Sequence, residues 1–190
     1  MQLLSGNFRS STCRECLMSD FTKAPKQVLI DLINKDNNTS LTDQLISFGL
    51  PTAATGTNPT RNTDLTISAI PGSGYRGSVD LKYNRVQLND FVGDKDLTFI
   101  LGDATKLSDL IGEINALLTI NLTEDDYQDV TLPAFQGTAN ETHEVQLVAS
   151  SDSIVYLGSL TIKIKGEEIE LGSVVTTREL SGLQAPAQSS

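Results

Sequence analysis

The sequence predicts an α+β fold of two similar small β-rich units, each a short helix plus antiparallel strands, with extended N- and C-terminal arms. Three observations indicate this fold: a repeat at a constant offset, one amphipathic segment in each half, and paired segments of alternating polarity. The offset is 81 residues, as from Leu29 to Leu110 and from Tyr75 to Tyr156. Further identities at this offset are Ile33-Asn34 with Ile114-Asn115, Leu41-Thr42 with Leu122-Thr123, Gly56-Thr57 with Gly137-Thr138, Gly77-Ser78 with Gly158-Ser159, and Lys82 with Lys163.

The repeat divides the chain into four predicted parts. These are an N-terminal arm (1–24), a first repeat unit (25–92), a second repeat unit (93–171) and a C-terminal tail (172–190). The arm and the tail lie outside the repeat and are too polar to bury much surface by themselves. They either fray or become ordered against neighbouring subunits.

One helix is predicted in each unit. The first covers residues 26–34, where apolar side chains recur on one stripe between Pro25 and the Asn37-Asn38 pair. The second covers residues 109–118, with Ser108 as its predicted N-cap.

A hairpin is predicted after each helix, because segments that alternate in polarity flank residues typical of turns. Two further strands are predicted, the second of them after a tight turn at residues 165–167. The first hairpin comprises strands 64–69 and 79–83 around the turn 71–74, the second comprises strands 145–149 and 160–164 around the turn 150–153, and the further strands are 96–101 and 168–171.

Composition excludes several classes of function. The 190 residues carry 24 acids, 14 bases and one His, for a net charge of −10, so a nucleic-acid partner is not expected. No apolar run is long enough to span a bilayer, so no membrane partner is expected. The start has no secretory pattern, which predicts cytosolic synthesis.

The charge is unevenly distributed along the chain. Residues 1–85 carry nine bases and seven acids, whereas residues 86–130 carry two bases and ten acids. We interpret this difference first as solvation of exposed loops. The alternative is that it steers unlike faces of neighbouring copies together.

Several motifs resemble functional sites without meeting their requirements. Residues 72–77 match the letters of a dinucleotide loop, but an alternating strand follows instead of a helix, which predicts a hairpin turn. Cys13 and Cys16 have the spacing of a zinc or redox half-site, but one chain lacks the remaining ligands. They are predicted to be free or structural thiols. The alternatives are a disulfide within or between subunits, and a metal-binding or redox role.

The acidic segments and the single histidine offer little more. Residues 90–96 and 124–129 do not fit the calcium-loop pattern and are predicted to be solvated acidic loops, with weak calcium binding as the alternative. Asp125 or Asp126 with Glu124 would be a poor acid/base pair, because nothing apolar nearby would separate their pKa values. His143 begins a strand without a nucleophile beside it. We therefore predict no catalytic, cofactor-binding or metal-binding residue, and we do not expect an enzyme.

The repeat resembles a module of virion structural proteins from tailed bacteriophages, over about residues 26–165. In the first unit the resemblance lies in Leu32-Ile33-Asn34, Leu41-Thr42, Phe48-Gly49-Leu50-Pro51, Arg61-Asn62-Thr63, the run 71–79, and Tyr83-Asn84-Arg85. In the second unit it lies in the run 110–115, Leu122-Thr123, Leu132-Pro133 and Tyr156-Leu157-Gly158-Ser159.

The resemblance implies a non-enzymatic building block present in many copies. Its expected partners are other virion proteins and copies of itself, and its expected location is the virion, in capsid decoration, the neck or the tail. The alternative is a receptor- or carbohydrate-binding module of a fibre or baseplate, which would need exposed aromatics on loops. Tyr75 and Tyr156 occupy matching repeat positions and are predicted to be framework residues instead.

Overall fold

The computed structural model describes residues 19–55, 60–135, 141–166 and 175–177. The N-terminal arm up to residue 18, including Cys13 and Cys16, lies outside the described residues. So do the strand predicted at 168–171 and most of the C-terminal tail.

The first half contains one helix and four strands. They are α1 (Pro25–Asn37), β1 (Ile46–Phe48), β2 (Thr52–Ala53), β3 (Thr63–Ala69) and β4 (Ser78–Tyr83). All pairings in this sheet are antiparallel: β3 lies between β4 on one side and β1 followed by β2 on the other.

A connecting segment joins the two halves, and we call residues 86–100 the connector. It contains β5 (Val86–Gln87), a short 3₁₀ helix (Leu88–Phe91) and β6 (Thr98–Ile100). Both of its strands pair with the second half, and both pairings are parallel.

The second half contains one helix and three strands. They are α2 (Leu107–Leu118), β7 (Thr142–Val148), β8 (Tyr156–Leu157) and β9 (Ser159–Lys165). Strand β9 is central, since it pairs antiparallel with β7 and parallel with β6. The fold is α+β with mainly antiparallel sheets, as the sequence predicts.

The two helices end in the same way, at the repeat offset of 81 residues. The Asn34 side-chain amide donates to the Leu41 carbonyl at 2.8 Å, and the Leu41 N–H donates back to Asn34 Oδ1 at 2.7 Å. Asn115 and Leu122 exchange the same two bonds at 3.0 and 2.9 Å. One asparagine thus closes the chain after each helix, which supports the predicted repeat.

The two hairpins also close alike. Ala69 N–H donates to the Gly77 carbonyl at 3.0 Å, and Ala149 N–H donates to the Gly158 carbonyl at 2.8 Å. Both glycines have positive φ, 87° and 76°, a conformation that a residue with a Cβ rarely adopts. The four hairpin strands of the sequence prediction are therefore confirmed. The further strand predicted at 96–101 is present as β6 and is shorter than predicted.

The predicted N-cap of the second helix is wrong. The helix begins at Leu107, so Ser108 lies in its first turn, where its hydroxyl lies 3.2 Å from Asp129 Oδ2. Asp109 Oδ2 instead accepts from the N–H groups of Thr105 and Lys106, at 2.8 and 3.0 Å. These two backbone hydrogen bonds hold the pKa of Asp109 below its ordinary value, and the bond from Thr105 has the larger effect.

The buried apolar side chains form one continuous core that draws on both halves. Each helix contributes its apolar stripe, as the periodicity predicts. The stripes comprise Val28, Leu29, Ile30 and Ile33 of α1 and Leu107, Leu110, Ile114 and Leu118 of α2. Neither helix of the described ranges has the length and apolar character needed to cross a membrane.

Candidate assembly surface

The connector covers the second unit along one edge. Val86 of β5 pairs with Tyr156 of β8, and the Val86 N–H donates to the Val155 carbonyl at 2.8 Å. The 3₁₀ helix that follows packs on β9 and buries its own Leu88 completely. The edge of the second unit is therefore closed by residues that follow β4, the last strand of the first sheet, in sequence.

Three aromatic rings, those of Phe21, Phe91 and Tyr156, pack against one another at this contact. Phe91 of the connector lies edge-on to Phe21, with ring centroids 5.0 Å apart, and 6.0 Å from Tyr156. Tyr156 is 0 % exposed, and burial raises its pKa to about 12. Its hydroxyl makes no well-formed hydrogen bond to a described residue, although the nearby Asn121 N–H lowers the pKa somewhat.

Tyr83 and Arg85 link the end of the first unit to the hairpin turn of the second. The Tyr83 hydroxyl donates to the Ile154 carbonyl at 2.6 Å. The Arg85 guanidinium donates to the Ser153 carbonyl at 2.8 Å and to Thr63 Oγ1 at 3.1 Å. Burial lowers the pKa of Arg85, but an arginine remains charged under ordinary conditions. These bonds fix how the first unit meets the second.

Among the described residues, none covers the matching edge of the first unit in this way. We call Tyr75, Arg76 and β4 the open edge. Tyr75 is 57 % exposed and Val79 is 59 % exposed, whereas their counterparts Tyr156 and Leu160 are 0 and 3 % exposed. Strand β4 pairs with β3 alone within the described ranges, whereas β9 has a strand on each side. The framework role predicted for Tyr75 is wrong, and the one for Tyr156 is confirmed.

Comparison with protein families identifies one match that spans both units. The model of DUF7941, a family of unknown function, matches residues 18–190. The chain belongs to DUF7941. Neither the curated proteins nor the solved structures gave a match. The DUF7941 match includes the open edge and the connector.

The two units of the DUF7941 chain meet through unlike faces. The second unit presents its hairpin turn, whose Ser153 and Ile154 are buried under Tyr83 and Arg85. The matching turn of the first unit lies at residues 70–73, where Gly72, the counterpart of Ser153, is exposed and Ser73, the counterpart of Ile154, is half-buried. A twofold relation between the units would have buried both turns alike, so the contact is heterologous.

An acidic cleft of about 630 Å³ lies between the units. Pro25, Lys26 and Leu50 line it from the first unit, and Asp125 and Asp126 line it from the second. Within the described part of the chain, no group of three or more His, Cys, Asp or Glu side chains is placed to hold a metal ion.

Asp126 has a structural role at this cleft. Its side chain is buried, and its two oxygens accept from Ser153 Oγ at 2.6 Å and from Thr123 N and Oγ1 at 3.0 and 2.6 Å. Ser153 Oγ in turn accepts from the Tyr156 N–H at 3.1 Å. The carboxylate therefore binds two turns of the second unit together, and its oxygens are already engaged.

The other motifs singled out in the sequence also have local structural roles. The glycine-rich run 72–77 forms the turn between β3 and β4, as predicted. His143 lies on β7, where its Nε2 is 2.7 Å from Glu141 Oε1 and its ring stands edge-on to Phe135. The described residues of these motifs are not brought together into one site.

Sequence reasoning missed the connector as a covering element. Strands β5 and β8 contain two residues each, which is too short for periodicity to identify. Their pairing joins residues 70 positions apart, so no local pattern announces it. The one sequence feature that bears on the connector is the repeat, because it allows the contacts of matched residues in the two units to be compared.

Proposed function

We propose that this protein is a non-enzymatic structural subunit of a tailed-bacteriophage virion, acting in capsid decoration, the neck or the tail. The resemblance of the repeat to a module of such virion proteins supports the setting. The open edge supports the assembly role. Its single most informative feature is Tyr75, exposed at the position where the repeat buries Tyr156.

The open edge has the chemistry of an interaction site. It combines exposed apolar side chains, Tyr75 and Val79, with the outer edge of β4, a strand that pairs only with β3 in the described part of the chain. Sheet edges of this kind add strands from a partner, since main-chain hydrogen bonds supply affinity and alternate side chains supply specificity.

The alternative is recognition of a receptor or carbohydrate, and one observation favours it. Tyr75 is an exposed aromatic on a hairpin turn, as such sites require. However, it is the one large aromatic among the exposed hydrophobics of the described residues, and its exposed neighbour is the aliphatic Val79. A sugar platform usually presents several rings, so we rank assembly first.

Mass spectrometry and electron microscopy of purified particles test this proposal. We expect the chain in particles of the phage that encodes it, at a copy number set by particle symmetry, with density for it in the capsid, neck or tail. Particles that lack the chain, from lysates that contain it, would contradict a virion role. Specific binding on a glycan array, abolished by Tyr75→Ala, would favour the alternative.

A further inference from the structure

We propose that strand β4 of the open edge pairs with β4 of a second copy of this chain, antiparallel and around a twofold axis at Leu81. This inference rests on the proposed assembly function and names the partner. The repeat supports a strand at this place, because β9 matches β4 at the offset of 81 residues and has β6 as a further neighbour beside β7. Val79 of β4 is accordingly 59 % exposed, whereas its counterpart Leu160 in β9 is 3 % exposed.

The outer edge of β4 presents the backbone groups of its even-numbered residues. The Ala69 N–H donates to the Gly77 carbonyl at 3.0 Å, which makes these two residues a hydrogen-bonded pair of the ladder between β3 and β4. Hydrogen-bonded pairs alternate with non-hydrogen-bonded pairs in an antiparallel ladder. The odd-numbered residues of β4 therefore bond to β3, and the N–H and C=O groups of Asp80 and Lys82 point away from it.

One register of the two β4 strands places opposite charges face to face. With Leu81 opposite Leu81 of the second copy, Asp80 lies opposite the second copy's Lys82, and each such pair exchanges two backbone hydrogen bonds. A shift of two residues in one direction would place Asp80 opposite Asp80, and in the other direction Lys82 opposite Lys82. Opposite charges across a strand pair stabilise it and like charges destabilise it. The edge is therefore complementary to itself, which favours a second copy as its occupant.

The two charged side chains have the bonding capacity for this contact beside their present partners. Lys82 Nζ is 2.8 Å from Asp64 Oδ1, and Asp80 Oδ1 accepts from Thr66 Oγ1 at 2.6 Å. An ammonium group has three donors, and a carboxylate accepts at both of its oxygens. The proposed pairing places Lys82 between Asp64 of its own chain and Asp80 of the second copy, so charges of opposite sign alternate across the joined sheets.

The apolar face of β4 fits the same register. Val79 and Leu81 lie opposite Ile67 and Leu65 of β3, which are buried. In the proposed dimer Val79 lies opposite the second copy's Tyr83, and the two Leu81 side chains meet at the twofold axis. These are non-hydrogen-bonded pairs, in which side chains approach more closely. The exposed Val79 therefore gains apolar cover from the register that pairs the charges.

Two full-length charge variants test the register as a complementary pair. Asp80→Lys and Lys82→Asp each place like charges opposite one another at both paired positions. In analytical ultracentrifugation the unaltered chain should form a dimer, and each variant alone should dimerise at least about tenfold more weakly. An equimolar mixture of the two variants should restore dimers, because opposite charges then face each other at both positions.

A matched control separates this effect from a change in net charge. Asp125→Lys makes the same change of charge at an exposed residue outside the open edge, and it should leave dimerisation unaltered. Circular dichroism should show that all three variants fold. If Lys82→Asp fails to fold, because it places a second carboxylate beside Asp64, disulfide trapping at the twofold axis decides the proposal.

Disulfide trapping uses Leu81→Cys in a Cys13→Ser and Cys16→Ser background. Facing residues of a non-hydrogen-bonded pair have Cα atoms about 4.5 Å apart, which a disulfide spans. Mild oxidation should therefore link two chains at this position. Val79→Cys in the same background is the control: its thiols should not link, since the two positions lie about 14 Å apart along the paired strands, although Val79 is the more exposed residue.

The outcomes distinguish the dimer from the proposed function. An unaltered chain that remains monomeric, charge variants that dimerise as well as it does, or a mixture that stays monomeric would each overturn the dimer. So would linking through Val79→Cys in place of Leu81→Cys. A chain found in particles with any of these results would retain the virion role without the β4 pairing. A chain that dimerises as proposed but is absent from particles would retain the dimer and contradict the virion role.

Discussion

The Tyr83 hydroxyl donates a 2.6 Å hydrogen bond to the Ile154 carbonyl, and this bond joins the last strand of the first unit to the hairpin turn of the second. The two residues are 71 positions apart. The bond is buried, and it holds Ile154 in the same turn that Asp126 binds through Ser153. The cohesion of the two units therefore depends on a few polar side chains as well as on the shared apolar core.

Tyr83→Phe should lower the free energy of unfolding by about 1–2 kcal/mol. The substitution keeps the ring and leaves the buried Ile154 carbonyl without its donor, and that loss costs more than the bond itself contributes. Urea unfolding followed by circular dichroism measures the change. Tyr75→Phe is the matched control and should stay within about 0.5 kcal/mol of the unaltered chain, because its ring is exposed.

The matched tyrosines of the repeat predict a second contrast. Tyr156→Ala should destabilise the monomer by about 3–5 kcal/mol, since it removes a fully buried ring that contacts Phe21 and Phe91. Tyr75→Ala should change the stability of the monomer by less than about 0.5 kcal/mol. Equal losses in the two variants, measured by thermal or urea unfolding, would refute the difference in cover between the two edges.

Most of the fold follows from the sequence, because local patterns determine it. Alternation predicts β3, β4, β7 and β9, and the apolar stripes predict both helices. The serine pattern misassigns the cap of α2, because the Ser108 N–H is itself satisfied by Asp129 Oδ1, a residue 21 positions away that no local pattern identifies. Asp109 in turn accepts from the N–H groups of Thr105 and Lys106, which precede the helix.

The candidate surface was less predictable, because it depends on what covers each unit. Tyr75 and Tyr156 are identical in type and matched in position, so the sequence assigns both the same environment. The difference arises from the connector, whose two-residue strand pairs with Tyr156 across a long separation in the chain. Only the three-dimensional arrangement distinguishes a covered edge from an open one.

Arg85→Met should destabilise the chain by about 2–3 kcal/mol. The buried guanidinium donates to Thr63 Oγ1 and to the carbonyls of Ser151 and Ser153, and methionine leaves these acceptors unpaired. Arg85→Lys should retain part of the stability, because an ammonium keeps the charge but cannot reproduce the planar fork. Denaturant unfolding of both variants tests this order, and a lysine variant weaker than methionine would contradict it.

Asp126→Ala should destabilise the second unit by about 2–3 kcal/mol. It removes the acceptor for Thr123 and Ser153 and leaves their buried donors without partners. Asp125→Ala is the matched control, because Asp125 is exposed in the same cleft and should have little effect on stability. Hydrogen exchange should show the loss of protection concentrated in the turns around residues 123–126 and 150–153.

Stability should fall on the alkaline side, and the buried tyrosines set the range. Burial raises the pKa of Tyr83 and of Tyr156 from an ordinary 10.0 to about 12. The folded chain therefore holds these protons more tightly than the unfolded chain, so their contribution is intact below pH 10.0 and is lost as the pH rises toward 12. Tyrosinate absorbance with unfolding curves at each pH measures this effect. Tyr156→Phe removes one titrating group and should make the loss of stability less steep, whereas an unchanged slope would show that Tyr156 does not contribute to it.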